Sequence, residues 1–167
     1  MRVLAHQATA DLCDQDTAVQ AIPLPWRHYG GRRSLCGPAL TLSCPGSVGL
    51  VRDTLSQPGA GAVLLVDGAA APACALLGDR LAQLAVSNGW AGVIVHGAVR
   101  DTAILATLPI AVIALSACPR RGKMERFGQT NVALNLSGVI VEPGACIVAD
   151  GDGVVVLPTG VWMQVDP

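Results

Sequence analysis

The sequence predicts an α/β fold built as a single domain over residues 1–167, and three observations carry that expectation. A chain of 167 residues with no linker, internal repeat or low-complexity tract has the length of one domain with a full hydrophobic core. Hydrophobic residues make up 51% of it but aromatics only 3%, so the core has to be built from Val, Leu, Ile and Ala, which suits buried strands. Apolar runs of strand length at 35–44, 62–68, 92–99 and 111–115 are separated by stretches of helical character.

Taken in order, Thr9-Ala10-Asp11-Leu12-Cys13-Asp14 opens with a helix cap and places acidic residues in a first turn, which predicts a short helix. Pro23, Pro25, Gly30, Gly31 and Gly37 punctuate a loop-rich passage carrying Trp26, His28 and Tyr29, a candidate packing surface. Leu35 to Cys44 reads as a strand, Ser47 to Leu55 as a helix ending before Pro58-Gly59, and Ala62 to Gly68 as a second buried strand. A short apolar run, Ala73 to Leu77, meets Gly78-Asp79, after which Arg80 to Val86 has helical spacing with Gly89 as its stop. Gly92 to Val99 is an apolar strand leading into Arg100-Asp101 and a helix over Thr102 to Leu108. Ala111 to Leu115 reads as a strand and Cys118 to Lys123 as a polar loop, the most basic segment of the chain. Asn131 to Leu136, Gly138 to Glu142, Cys146 to Ala149 and Val154 to Leu157 are short strands, separated by turns at Pro143-Gly144 and Asp150-Gly151-Asp152-Gly153.

Several function classes drop out. The net charge is −1 and no basic run exceeds Arg32-Arg33 or Arg120-Arg121, so nucleic acid is not an expected partner. Met1 to Gln7 lacks the apolar run of a signal peptide and no hydrophobic run is long enough to span a bilayer, so the expectation is a soluble, cytoplasmic protein with no membrane partner. Six cysteines, at 13, 36, 44, 74, 118 and 146, show no Cys-x-x-Cys spacing and read as small buried hydrophobes.

Two short motifs carry chemistry. Arg100-Asp101 stands where a buried strand ends, the usual place for ligands in an open α/β sheet. Arg offers a planar fork for a carboxylate and Asp offers hard oxygens for a divalent ion. A surface ion pair capping the next helix is the competing interpretation. Gly78-Asp79 falls at a helix N-terminus, whose free N–H groups and positive dipole end attract an anion, while the glycine permits close approach. The competing interpretation is that Asp79 simply caps the helix.

Gly78-Asp79-Arg80-Leu81, then Asn88 through Asp101, Leu108-Pro109-Ile110 and Pro119-Arg120-Arg121 together resemble the RraA-like family, which contains class II 4-hydroxy-4-methyl-2-oxoglutarate aldolases and regulators of ribonuclease E activity. The resemblance runs from Asp11 through Gly30-Gly31-Arg32 to Asp150-Gly151-Asp152-Gly153-Val154. It implies a swivelling β/β/α sandwich and a homotrimer with sites at subunit boundaries. It also implies that Gly78, Asp79, Arg80, Leu81 and Arg100 bind the substrate, that Asp101 binds a divalent cation, Mg²⁺ or Mn²⁺, and that Arg100 and Asp79 are catalytic. The regulators lack the Gly-Asp segment and the Asp of the pair, and this chain has both. Larger aldolases of the family carry a carboxy-terminal extension with a further acidic residue, which has no counterpart before Pro167 and bears on substrate preference.

The chemistry of these groups agrees with that expectation. Cleavage of a 4-hydroxy-2-oxo acid and decarboxylation of oxaloacetate both generate pyruvate enolate, whose oxygen a divalent Lewis acid and Arg100 can stabilise. The expected partner is thus a small 2-oxo acid, with ribonuclease E the alternative if the chain is a regulator without catalysis. Mg²⁺ accepts few protein ligands, which suits Asp101 directly and Asp79 through water. The single lysine, Lys123, lies outside the motif, which disfavours a Schiff base. The group that moves protons stays open between waters held by Asp79 and by Asp101. His96, on an apolar strand, reads as structural, and His6 and His28 receive no role.

Overall fold

The computed structural model describes residues 7–158 together with the backbone of 2–4 and 162–164; His6 lies outside the described residues. Along the chain come β1 (Arg2–Leu4), α1 (Thr9–Gln15), β2 (Gln20–Ala21), β3 (Arg27–His28), β4 (Leu35–Ser43), α2 (Gly49–Leu55), β5 (Val63–Asp67) and β6 (Ala75–Leu77). There follow α3 (Asp79–Ser87), β7 (Gly92–Val99), α4 (Thr102–Leu105), β8 (Ala111–Ala117), β9 (Gln129–Thr130), β10 (Leu134–Leu136) and β11 (Val139–Val141), then β12 (Cys146–Ala149), β13 (Val154–Val156) and β14 (Trp162–Gln164).

The main sheet runs β2-β13-β12-β4-β5-β7-β8-β3, with β6 added against β7 and β9 against β4. Its centre, β4-β5-β7-β8, is parallel, whereas β12, β13 and β2 join antiparallel. Parallel strands need both faces covered, and alternate residues of β5 show how this is done. Leu64 and Val66 enter a core with Val51 and Leu55 of α2, Ala82 and Ala85 of α3 and Leu105 of α4. Val63 and Leu65 enter a second core with Leu134, Leu136 and Val141 of the β10-β11 hairpin and with Ile147, Ala149, Val154 and Val156 of the antiparallel arm. The sheet therefore curls over its own hairpin on one side and carries helices on the other, the expected β/β/α layering. A third cluster seats Leu12 of α1 against Val148 and Val155 on the outer side of that arm.

Four expectations change. The helix after Asp101 is one turn, Thr102–Leu105, because the chain has to reverse before Pro109 and the Leu108 carbonyl accepts from Gly31 and Ile110 instead of continuing a helix. The strand expected from Asn131 begins only at Leu134, since Asn131 holds a left-handed φ of 54° that breaks the extended run. Only Cys44 and Cys146 are buried; Cys13, Cys36 and Cys74 are half-buried at the edges of the cores, and Cys118 is half-buried after β8. Trp26 and Tyr29 do not share one packing surface, because β3 sends Trp26 to the hairpin core and Tyr29 to the helix core.

Candidate functional site

The short strand β6 ends beside the end of β7, where the Arg100 N–H donates to the Leu77 carbonyl at 2.9 Å. The two motifs that close these strands are thereby brought together. Gly78 is the N-cap of α3, with φ −138° and ψ −170°, extended values that any residue adopts. The reason for glycine is proximity: a Cβ there would lie 2.5 Å from Asp101 Oδ2 and 3.2 Å from both Cγ and Nε of Arg100.

Asp101 caps α4 with its backbone alone, and its side chain is turned elsewhere. It sits in the left-handed region at φ 58°, ψ 39°, which Asp tolerates better than most residues. Its carbonyl accepts the Ile104 and Leu105 N–H groups of α4, but its carboxylate makes no cap bond to that helix. Instead Oδ2 accepts the Asp79 N–H at 3.2 Å and lies 3.4 Å from Arg100 Nε. Asp79 is the first residue of α3 rather than its N-cap, and its Oδ1 accepts the Arg80 N–H at 2.7 Å. The Leu81 N–H has no acceptor among the described residues, so the first turn of α3 retains a donor at its positive end.

A cavity of about 260 Å³ opens over this junction, lined by Gly78, Asp79, Arg80, Leu81 and Arg100. Asp101 stands one contact back from it, against Gly78 and Arg100. The remaining wall includes Arg52 of α2 with Arg121 and Met124 of the loop after β8, none of which the sequence reading selected. Arg121 was visible as half of a basic dipeptide and within the Pro119-Arg120-Arg121 motif, without a role, and Arg52 only as part of the helix read over Ser47 to Leu55, because the cavity they share with Gly78 joins distant segments.

Asp79 and Asp101, both half-buried, are joined through the Asp79 N–H and the Asp101 carboxylate, and among the described residues no three His, Cys, Asp or Glu side chains converge as a metal cage. Such a hard, sparse donor set fits an ion that keeps most of its water, as Mg²⁺ does, and does not fit a zinc centre. His96 belongs elsewhere. Its Nδ1 is 2.8 Å from Asp67 Oδ1, and its ring lies 6.5 Å from that of Trp26, on the hairpin side of the sheet. Burial opposes the charge on Asp67, but hydrogen bonds from His96 and the Ala69 N–H outweigh it and hold the carboxyl below its ordinary range.

A sheet whose parallel strand ends bring a helix N-terminus, an arginine and the Asp79 carboxylate to one small cavity, with Asp101 directly behind them, defines an α/β protein with a cavity where such sheets usually take their ligands. The chain belongs to the RraA-like family: the family description Aldolase/RraA matches residues 9–156. It is 45% identical over 150 residues to a protein named 4-hydroxy-4-methyl-2-oxoglutarate aldolase from Thermus thermophilus, covering 90% of this chain and 92% of that one. A solved structure described as the RNA-processing inhibitor RraA, also from Thermus thermophilus, superposes with a TM-score of 0.89 at 42% identity, covering 95% of this chain and 98% of that one. Another, described as an S-adenosylmethionine: 2-dimethylmenaquinone methyltransferase from Geobacillus kaustophilus, gives a TM-score of 0.88 at 47% identity, covering 90% and 94%. Among the described residues no helix is long and apolar enough to cross a membrane.

Proposed function

We propose that this protein is a metal-dependent class II aldolase that cleaves 4-hydroxy-4-methyl-2-oxoglutarate-type acids to pyruvate and decarboxylates oxaloacetate through the same enolate. The observation that carries this reading is the meeting of Arg100 and the first turn of α3 at one cavity, with the Asp101 carboxylate in contact behind them. The name of the Thermus thermophilus relative supports it. Asp101, with Asp79 through water, would hold Mg²⁺ or Mn²⁺, which supplies Lewis-acid stabilisation of charge on the former ketone oxygen.

The residues of the chain divide the remaining work. The Leu81 N–H and the dipole of α3 bind the substrate carboxylate next to the 2-oxo group. Arg100 presents its guanidinium to the oxygen on which charge develops as the C3–C4 bond breaks and its electron pair moves into the C2 carbonyl. The 4-hydroxyl loses its proton and becomes the carbonyl of the leaving fragment, and C3 gains a proton to give pyruvate. Among the described residues Asp79 Oδ2 has no partner while Oδ1 holds the Arg80 N–H, so a water at Oδ2 can relay the proton. Lys123, in the exposed loop, does not line the cavity, in keeping with a mechanism that forms no Schiff base.

The same reading includes a cytoplasmic homotrimer whose contacts complete the cavity rim. Met124 is 42% exposed and Phe127 63% exposed on the loop that forms this rim, a costly display of apolar surface for an isolated chain. The test is pyruvate release from oxaloacetate and from 4-hydroxy-4-methyl-2-oxoglutarate with Mg²⁺ and then with chelator. Release from both that stops on chelation is expected. A second reading, a regulator that binds ribonuclease E, is favoured by the likeness to the structure described as an RNA-processing inhibitor. No pyruvate at any metal concentration, with inhibition of ribonuclease E cleavage by the purified protein, would establish it instead.

A further inference from the structure

We infer that Arg52 and Arg121 form a subsite for a second carboxylate, the one on the fragment that leaves, so that the cavity selects 2-oxo acids that are dianions. This rests on the lyase reading for its chemistry but on separate residues for its argument.

Four guanidinium-bearing residues, Arg52, Arg80, Arg100 and Arg121, line the cavity against one carboxylate, that of Asp79. Arg100 and the first turn of α3 suffice for one carboxylate beside a 2-oxo group, which leaves a positive surplus on the other wall. That surplus is not consumed by the protein. Arg121 makes no ion pair or side-chain hydrogen bond among the described residues, and Arg52 reaches only Asp53, at 3.4 Å. Asp53 is engaged more closely by Arg126, so Arg52 is a minor partner of that carboxylate.

Both arginines are held at fixed places by backbone. Ala75 at the start of β6 donates to the Arg120 carbonyl at 2.7 Å and accepts the Gly122 N–H at 2.9 Å, which pins Arg121 between them. The loop is then stitched to the start of α2. The Val48 N–H donates to the Lys123 carbonyl at 2.8 Å, the Gly49 N–H to the Glu125 carbonyl at 3.0 Å, and the Ser47 hydroxyl to that same carbonyl. Arg52 lies one turn further along α2. Three residues of extended chain separate Ala75, beside Arg121, from Gly78, beside Arg100 and Asp101, a rise of about 10 Å at about 3.3 Å per residue. A five-carbon dicarboxylate, with the arginine side chains spanning the rest, matches that separation; a three-carbon monoanion reaches only one end.

The test uses the full chain with Mg²⁺ and two ligands that cannot be cleaved, 2-oxoglutarate as dianion and pyruvate as monoanion, titrated by calorimetry. Wild type is expected to bind 2-oxoglutarate more tightly than pyruvate. Arg52→Met and Arg121→Met should each erode that preference by on the order of tenfold or more, the loss of one charge-assisted hydrogen bond, and weaken pyruvate far less. Arg52→Lys and Arg121→Lys, which keep the charge, should restore part of it. In turnover, kcat/KM for 4-hydroxy-2-oxoglutarate should fall relative to that for 4-hydroxy-2-oxopentanoate, which has a methyl group in place of the distal carboxylate. Equal binding of the two ligands by wild type, or equal weakening of both in the Met variants, would overturn the subsite. A wild type that releases no pyruvate but shows the preference, and loses it in the variants, would refute the lyase and leave the dianion subsite standing. Both side chains are exposed, and urea midpoints close to wild type are expected for all four variants.

Discussion

Gly78→Ala separates the geometry of the site from the stability of the fold. The added methyl would stand 2.5 Å from Asp101 Oδ2, and ordinary contact begins near 3.4 Å, so the carboxylate has to withdraw by about 0.9 Å. Its bond from the Asp79 N–H, already 3.2 Å long, would leave hydrogen-bonding range, and Arg100 Nε at 3.2 Å from the new Cβ would shift with it. A displacement near 1 Å in a catalytic constellation typically costs on the order of 10²-fold in rate. Stability should hardly respond. The backbone at φ −138°, ψ −170° accepts alanine, and the small N-cap preference for glycine opposes the entropy lost from the unfolded chain, each below about 1 kcal/mol. Pyruvate release coupled to lactate dehydrogenase, beside a urea denaturation curve, reads both quantities. Wild-type turnover in the alanine variant would show that the close approach of Gly78 to Asp101 has no catalytic meaning. A rate loss matched by loss of folded protein would show that the glycine serves the fold.

Asp101→Asn should leave the denaturation midpoint unchanged, because Asn also adopts the left-handed conformation, and should abolish activity while Mg²⁺ titration shows a large loss of affinity; an unfolded variant whose folded remainder keeps normal metal dependence would make Asp101 structural. Arg100→Lys preserves charge but not the planar fork, so aldol cleavage and oxaloacetate decarboxylation should both drop by similar factors, on the order of 10²-fold or more in steady-state assays. Asp67→Asn removes a half-buried partner of His96 on the side of the sheet away from the cavity and should cost about 1–2 kcal/mol in urea denaturation with activity per folded molecule retained. Since Asp67 is held below its ordinary 3.8, that contribution is complete above 3.8 and disappears as pH falls through the lowered value. His28 donates from Nε2 to the Asp150 carbonyl at 2.6 Å and buries Nδ1 with no partner among the described residues, and burial, the chief cause, lowers its pKa from 6.5. Its stabilisation is therefore full above 6.5 and lost as pH falls below that toward the lowered value, and His28→Gln should flatten the dependence of the urea midpoint on pH between about pH 7.5 and about pH 5.5.

The central strands were legible because β5 and β7 are buried on both faces and show as unbroken apolar runs, while α3 declared itself through Gly78 before it and Gly89 after it. The two-residue strands β2, β3 and β9 were not, since their pairing depends on the neighbouring strand rather than on any local pattern. The same limit applies to the site. Gly78, Asp79, Arg100 and Asp101 lie at strand ends that a sequence reader can find, and the structure brings them into contact. The side-chain direction of Asp101 was open, because only the left-handed backbone decides that the carboxylate turns toward α3 rather than α4. Arg52 carries no local signal, and Arg121 stands in a motif, Pro119-Arg120-Arg121, that gives it no role. Their shared address comes from the hydrogen bonds between the loop at 121–125 and the start of α2.

The groups proposed to handle the 2-oxo end all fall within one uninterrupted stretch, β6-α3-β7 with the Arg100-Asp101 pair that follows, while the opposite wall is assembled from α2 and a loop far along the chain. Reaction and recognition are thus inherited as separable parcels of sequence. Exchange of residues at 52, 121 or 124 could retarget the cavity to a different leaving fragment without disturbing the contiguous parcel. Drift within that parcel would silence the chemistry and leave behind a well-folded trunk with an intact exterior, available for other employment by whatever docks on its surface.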